Sequence, residues 1–425
     1  MVAAGAIVFL VLSINWVSSS PASMMDFRTT YGSARCLLRH CDPYNPNDVL
    51  RIYHAEGGER PSDSDSDRFI LSRNLYFPTE FPITVLFALL PFNLAQLFWF
   101  ALTAGSFILA SFLMWNLAAD QAPELAGGLL GLLLASSVQV IYYGNPAGIS
   151  IGLCMVAVWC FLRDKFVPAG ILCLAASLAL KPHDAALVWL YFLLAGGSYR
   201  RRALQTLAVL AAFSLPAILW TTHISPHWIH ELRSNWQALS VHGAGADPGP
   251  TAIDNHGTLL ITNLQSVFAV FRDDPRFYNL ASYLVCAPML LAWAVVTLRA
   301  RITPATTWFA LAAIAPLSML PLYHRIYDAK LVMLTIPACA LLWAERGRTG
   351  RIALLINAAG FVLIADYLWS IYLDVLIELR LLPAAHPGPL LSATLLFPLP
   401  LILLTMGAFY LCIYARRTFH PLFLE

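Results

Sequence analysis

Five short polar runs carry the residues that could do chemistry. The first holds Met25, Asp26, Phe27 and Arg28, and reaches Tyr31. A carboxylate such as Asp26, just past an apolar segment, can take a proton from a hydroxyl, a role worth roughly 10² to 10⁴ in rate. Read plainly, it is a solvated aspartate or a helix cap. The second run, Tyr142 to Gly148, contains Asn145 and can also be an ordinary turn in which Pro146 opens a helix. The third is Lys181-Pro182-His183-Asp184. Lys181 could bind a phosphate as a point charge or could snorkel from a helix end. The fourth, Tyr323 to Asp328 with Lys330 beyond it, packs His324, Arg325, Tyr327 and Asp328 between apolar runs. Ionisable groups at membrane depth are costly and so are functional candidates. The fifth spaces His223, His227 and His230 as HxxxHxxH. Pro226 interrupts that spacing, so an interfacial helix with Trp228 and Trp236 fits better than a metal site.

These runs must be positioned by membrane helices. The 425 residues are 59% hydrophobic and only 12% charged, with mean hydropathy +0.68. The apolar residues come in runs rather than spread through one core. The chain therefore reads as an all-α polytopic membrane protein of about twelve spans, each needing about 20 apolar residues. They fall near 2–18, 94–116, 125–143, 147–162, 166–180, 184–197, 203–221, 279–298, 305–321, 328–344, 352–371 and 389–414. The apolar pieces 81–92 and 257–271 look too short or interrupted to cross and read as re-entrant or interfacial helices. Residues 1–425 read as a single domain, with its first span uncleaved.

Basic residues of the short loops set the orientation. Arg163 to Lys165, Arg200 to Arg202, Arg299, Arg301, Arg346, Arg348, Arg351, Arg416 and Arg417 all fall on one side if the N-terminus is inside. The long segments 19–80 and 222–278 are then external, and so are Asp26, Asn145, Lys181 and His324. The loop near 117–124 carries no basic residue and is the weak link in that count. A formal charge of +2 gives no footing for nucleic acid. No Walker loop or dinucleotide fingerprint is present. Of eight cysteines, six lie in or beside apolar segments. Cys36 and Cys41 sit in a polar loop and could form a disulfide in an oxidising compartment.

The chain also resembles a known family. The residues that carry this are Asp26-Phe27 with Tyr31, the stretch YFPTEFPITVLFALLPF, GNPAGISIGL, LALKPHDAAL, the Asn263 to Ser266 segment and HRIYD. In order and spacing they resemble the glycosyltransferase family 87 mannosyltransferases, enzymes of the GT-C fold. The chain departs from the family's usual pattern at Tyr76 to Pro82, at Gly144 to Pro146 and at Asn263 to Ser266. The resemblance implies a polyprenyl-phosphate sugar donor, with mannose the expected sugar, and a glycolipid or glycan acceptor. It implies a bacterial-type inner membrane with the active site facing the periplasm or exterior. Asp26 would be the general base of an inverting transfer, and His324 would support either Asp26 or the acceptor. Lys181 and Arg325 would stabilise the leaving phosphate, with Tyr31, Asn145, His183, Tyr327 and Asp328 lining the substrates. The scheme needs no metal and no cofactor. A transporter or flippase of lipid-linked sugars is the main rival, and the absence of a clear internal repeat in the sequence counts against it.

Overall fold

The computed structural model describes residues 1–20, 23–56, 71–241, 244–249, 261–379 and 389–419. Its named elements are all helical. The N-terminal group comprises α1 (Val2–Ser19), α2 (Met25–Leu38), α3 (Pro46–Ala55), α4 (Phe81–Ala88) and α5 (Phe92–Ala118). Then come α6 (Pro123–Ala135), α7 (Gln139–Tyr142), α8 (Ala147–Arg163), α9 (Val167–Leu180), α10 (Pro182–Ala195) and α11 (Gly197–Ile224). The C-terminal half holds α12 (Trp228–Leu239), α13 (Leu264–Ala269), α14 (Pro275–Arg299), α15 (Pro304–Met319), α16 (Ile336–Ala344) and α17 (Arg348–Leu363). It closes with α18 (Asp366–Glu378), α19 (Pro389–Leu396) and α20 (Pro398–Phe419).

Among the described residues, six segments are long and apolar enough to cross a bilayer: α1, α5, α6 with α7, α11, α14 and α20. The bent pair α17 and α18 would make a seventh. Helices α8, α9, α10 and α15 are apolar but only 14 to 17 residues long. Their shortness has a local cause. Pro146, Pro182 and Pro304 each lie at the start of a helix, where the missing N–H costs nothing. The predicted span 328–344 is broken as well: Asp328–Thr335 is a 3₁₀ stretch that turns α-helical at Ile336.

The spanning helices show apolar side chains on their outer faces, including Ile7, Val11, Leu97, Leu219, Leu284, Leu291 and Leu355. Water would penalise such a surface, whereas lipid tails match it. Inside the bundle the helices pack on small residues. A Cβ added at Gly5 of α1 would lie 2.3 Å from the Gly131 carbonyl oxygen of α6, so these two backbones touch directly.

The segment after α1 forms a cap with its own apolar core. Phe27, Tyr31, Leu37, Tyr44, Phe81 and Trp99 are among its buried members. Cys36 and Cys41 are disulfide-bonded at the end of α2. The apolar piece 81–92 yields the eight-residue α4, and 257–271 yields the six-residue α13, with 257–260 outside the described residues. Much of the acidic stretch within 19–80 also lies outside them.

Candidate active site

The site is built where four connections meet. Main-chain hydrogen bonds bring the first two together. Met24 N donates to the Tyr142 carbonyl at 2.6 Å, and Asp26 N donates to the Tyr143 carbonyl at 2.9 Å. The first turn of α2 thus hangs from the end of α7. Gly144 follows with φ +64°, a conformation that suits glycine. A Cβ there would also come within 2.9 Å of Phe27 Cβ. The Trp99 indole N–H donates to the Gly144 carbonyl at 2.9 Å and fixes the turn from below.

Asn145 is the hub. Its Oδ1 accepts from Ala147 N at 2.9 Å and from Lys181 Nζ at 3.2 Å. Two donors on one atom settle which end of the amide is oxygen. The Nδ2 then donates to Asp26 Oδ2 at 2.7 Å, with the Tyr76 hydroxyl at 3.0 Å and the Tyr327 hydroxyl at 3.1 Å. Asn145 is buried, while Asp26 keeps partial access to solvent although protein surrounds it densely. Desolvation pushes the Asp26 carboxyl above its usual range, and the Asn145 hydrogen bond pulls it back, helped by Arg325 and Lys181. A carboxylate so balanced can accept a proton at neutral pH.

Lys181 sits in the gap between α9 and α10. Its Nζ is bonded to Asp328 Oδ1 and lies 4.9 Å above the Tyr327 ring. Asp328 spends its other oxygen on the Arg325 backbone N–H, at 2.8 Å. Arg325 donates to the Tyr323 hydroxyl at 2.6 Å and to the Gly245 carbonyl at 2.8 Å. Both cations expected to meet a phosphate are therefore already engaged by protein groups. The turn that carries Arg325 is held from the side: Thr262 N donates to the His324 carbonyl and Leu264 N to the Leu320 carbonyl, each at 2.9 Å. That is a structural task for the Asn263 to Ser266 segment.

The structure gathers Asp26, Asn145, Lys181, Tyr327 and Asp328 around one network. The His324 ring faces His183, with centroids 4.8 Å apart, and its Nε2 lies 3.9 Å from Asp184 Oδ1. Tyr31 stands apart, for its hydroxyl donates to the Leu90 carbonyl inside the cap. Two contributors escaped the sequence reading. Tyr76 reaches Asn145 from the YFPTEFP stretch, held because the Tyr44 hydroxyl donates to its carbonyl at 2.8 Å. Asp184 belongs to the Lys181 motif and could have been drawn from it. The histidines 223, 227 and 230 show no common cluster; among the described residues, the group that could hold a metal is His183, Asp184 and His324.

One cavity lies near this region: a groove of about 290 Å³ runs between Phe77, Thr79, Leu178, Pro182, Leu207 and Ser214, and Pro182 is the chain neighbour of Lys181. A larger one, about 860 Å³, is lined by Gln121, Glu124, Arg346 and Arg351. It lies at the opposite end of the span formed by α6 and α7, remote from the network.

The sequence matches the profile of glycosyltransferase family 87 over residues 74–322, more than half of the chain. No curated protein and no solved structure matches it. The chain belongs to glycosyltransferase family 87 and is an integral membrane glycosyltransferase. The matched region contains Asn145 and Lys181; Asp26 precedes it and His324 follows it.

Proposed function

We propose that the enzyme transfers a sugar, mannose by the family's pattern, from a polyprenyl-phosphate donor to a hydroxyl of a glycolipid or glycan on the non-cytoplasmic side. The reading rests chiefly on one observation: the Asp26 carboxylate is oriented by Asn145 at the partly open mouth of a buried polar network. Asp26 takes the proton of the acceptor hydroxyl as its oxygen attacks the anomeric carbon. The bond to the phosphate oxygen breaks on the opposite face, so the configuration inverts. The leaving group departs as a phosphate monoester and needs positive charge more than a proton. The lipid chain of the donor suits the apolar groove at Phe77, Leu178, Pro182 and Leu207, whose member Pro182 follows Lys181 in the chain. Arginines at the other end of the bundle support the external placement of this mouth.

The direct test supplies radiolabelled polyprenyl-phosphate mannose to membranes carrying the enzyme. Label should appear in a glycolipid or glycan product with wild type and be lost with Asp26→Asn. Full transfer by a folded Asp26→Asn variant would remove Asp26 as the base. Movement of donor across the bilayer without transfer would favour a flippase.

A further inference from the structure

The cavity of about 860 Å³ at the far end of the α6 and α7 span takes no part in the chemistry above. Gln121 and Glu124 line it at the start of α6, and Trp343, Arg346 and Arg351 line it where α16 gives way to α17. Among the described residues, neither guanidinium makes a hydrogen bond or an ion pair. The carboxylate next to Arg346 in the chain does not serve it, because both oxygens of Glu345 accept from Arg417 Nη2 at 2.6 Å. Two other arginines at this end are spent on protein as well. Arg163 donates to the Asn116 carbonyl at 2.7 Å and Arg202 to the Phe161 carbonyl at 2.8 Å. Single exposed arginines are usual here, Arg301 among them. Arg346 and Arg351 differ in opening onto one cavity.

The backbone singles out Arg346 again. Helix α16 ends at Ala344 with Glu345 as its cap, and Arg346 follows with φ +54°. Glycine usually takes this left-handed place after a helix, and a side chain there strains the chain. A glycine is present, but one residue further on, at 347. Arg346 N meanwhile donates to the Trp343 carbonyl at 3.0 Å, which locks the turn. Strain of this kind gathers at ligand sites.

We propose that this cavity binds the headgroup of an anionic phospholipid with free hydroxyls, of the phosphatidylglycerol kind. Arg346 and Arg351 hold the phosphodiester, whose oxygens match the guanidinium fork. Glu124 and the Gln121 carbonyl accept from the headgroup hydroxyls. Charge selects the class. Two arginines against one glutamate leave one net positive charge, which a phosphodiester without an ammonium neutralises. The surroundings select a lipid over free phosphate. Trp343 is 40% exposed at the rim, as tryptophans are at membrane interfaces. Leu355 and Val362 lie about one and three turns beyond Arg351 on the same face of α17 and are both exposed. An apolar track thus leads away from the arginine, and an acyl chain fits along it.

The test uses the full-length protein purified in detergent and stripped of lipid. It is titrated with phosphatidylglycerol, and bound lipid is counted by native mass spectrometry. One tightly held lipid per chain is expected. Arg346→Gly and Arg351→Gln each remove a charge-assisted contact, so affinity should fall about ten-fold or more. Arg346→Gly also relaxes the backbone, so its melting temperature should not drop, and lost binding then reports a lost contact rather than a lost fold. Arg301→Ala removes an exposed arginine from the same end and should change affinity less than about two-fold, since salt screens distant charges. Phosphatidylethanolamine should bind more weakly than phosphatidylglycerol, and inorganic phosphate should not displace the lipid. Wild type that holds no phosphatidylglycerol, or folded Arg346 and Arg351 variants that hold it as tightly, overturns the site. Equal binding of phosphatidylethanolamine overturns the charge assignment, and displacement by phosphate overturns the lipid source. No readout involves sugar transfer, so the outcome is independent of the donor and acceptor proposed above.

Discussion

Among the described residues, Lys181 and Lys330 are both buried against aspartates, and they are finished differently. Lys330 bonds to the Ile364 carbonyl and to Asp366 at 3.2 Å, while Asp366 Oδ2 accepts from Gln139 N at 2.6 Å. Both side chains are essentially inaccessible. Each charge there meets protein, and the pair ties α7 to the 3₁₀ stretch and α18. Around Lys181 and Asp328 the pattern changes. That pair is also buried, but its neighbours include a half-open carboxylate at Asp26 and unpartnered atoms on Asp184 and His324. The charges of the first pair are met by protein groups, whereas the second borders a carboxylate and an imidazole with atoms that lack a hydrogen-bond partner.

The contrast is broken most severely at Asp26. Asp26→Asn keeps the shape and removes the proton acceptor, so transfer should fall by roughly 10² to 10⁴ while the melting temperature in detergent is unchanged. The opposite outcome is expected at the closed pair. Asp366→Ala leaves the Lys330 ammonium buried and unpaired, which costs about 3–5 kcal/mol of stability. Thermal unfolding of the purified variant measures this, and a neutral result would mean that Lys330 finds another partner.

Asn145→Ala tests how the hub sets the base. Transfer should decline about ten-fold, with the loss of one charge-assisted hydrogen bond. The pH profile should also move. Proton acceptance needs ionised Asp26, so activity is lost as pH falls through its raised pKa, above the usual value of about 3.9. Asn145 is the largest influence holding that pKa down, so its removal shifts the acid limb to higher pH. A lower rate with an unmoved limb would make Asn145 a positioning residue only.

An effect confined to pH dependence concerns Glu80, a buried carboxylate held by an amide. Asn74 Nδ2 donates to Glu80 Oε1 at 3.0 Å, and burial pushes the carboxyl up to about 8. Because the folded pKa lies above the unfolded one, its stabilising contribution is full at low pH and fades as pH rises toward 8. The slope is at most about 1.4 kcal/mol per pH unit. Melting temperature should fall across that window in wild type, and Glu80→Gln should flatten the decline.

Much of this site was legible in the sequence because polar runs between apolar ones have few places to go. The four connections carrying Asp26, Asn145, Lys181 and Asp328 do converge. What the sequence hid was pairing at the scale of single side chains. His324 was expected to support Asp26 or the acceptor; its carbonyl accepts from Thr262 N, and its ring faces His183 and Asp184. Tyr76 was obscured because a tyrosine in an apolar stretch looks like packing, and its hydroxyl matters only once Asn145 is opposite. The helix pattern was clear in type and blurred in length. Prolines open α8, α10 and α15 within two residues of the expected starts, whereas a 3₁₀ stretch replaces the first part of the span read at 328–344.

The attachment of α2 to α7 has one more consequence. Both bonds at that joint, from Met24 N and Asp26 N, are made by main-chain atoms. Such a joint is indifferent to side-chain identity, so position 26 behaves as an exchangeable tool head on a fixed mount. A glutamate there would extend its carboxyl deeper into the mouth, and a cysteine would offer a thiol for a probe, each without moving the helix that presents it.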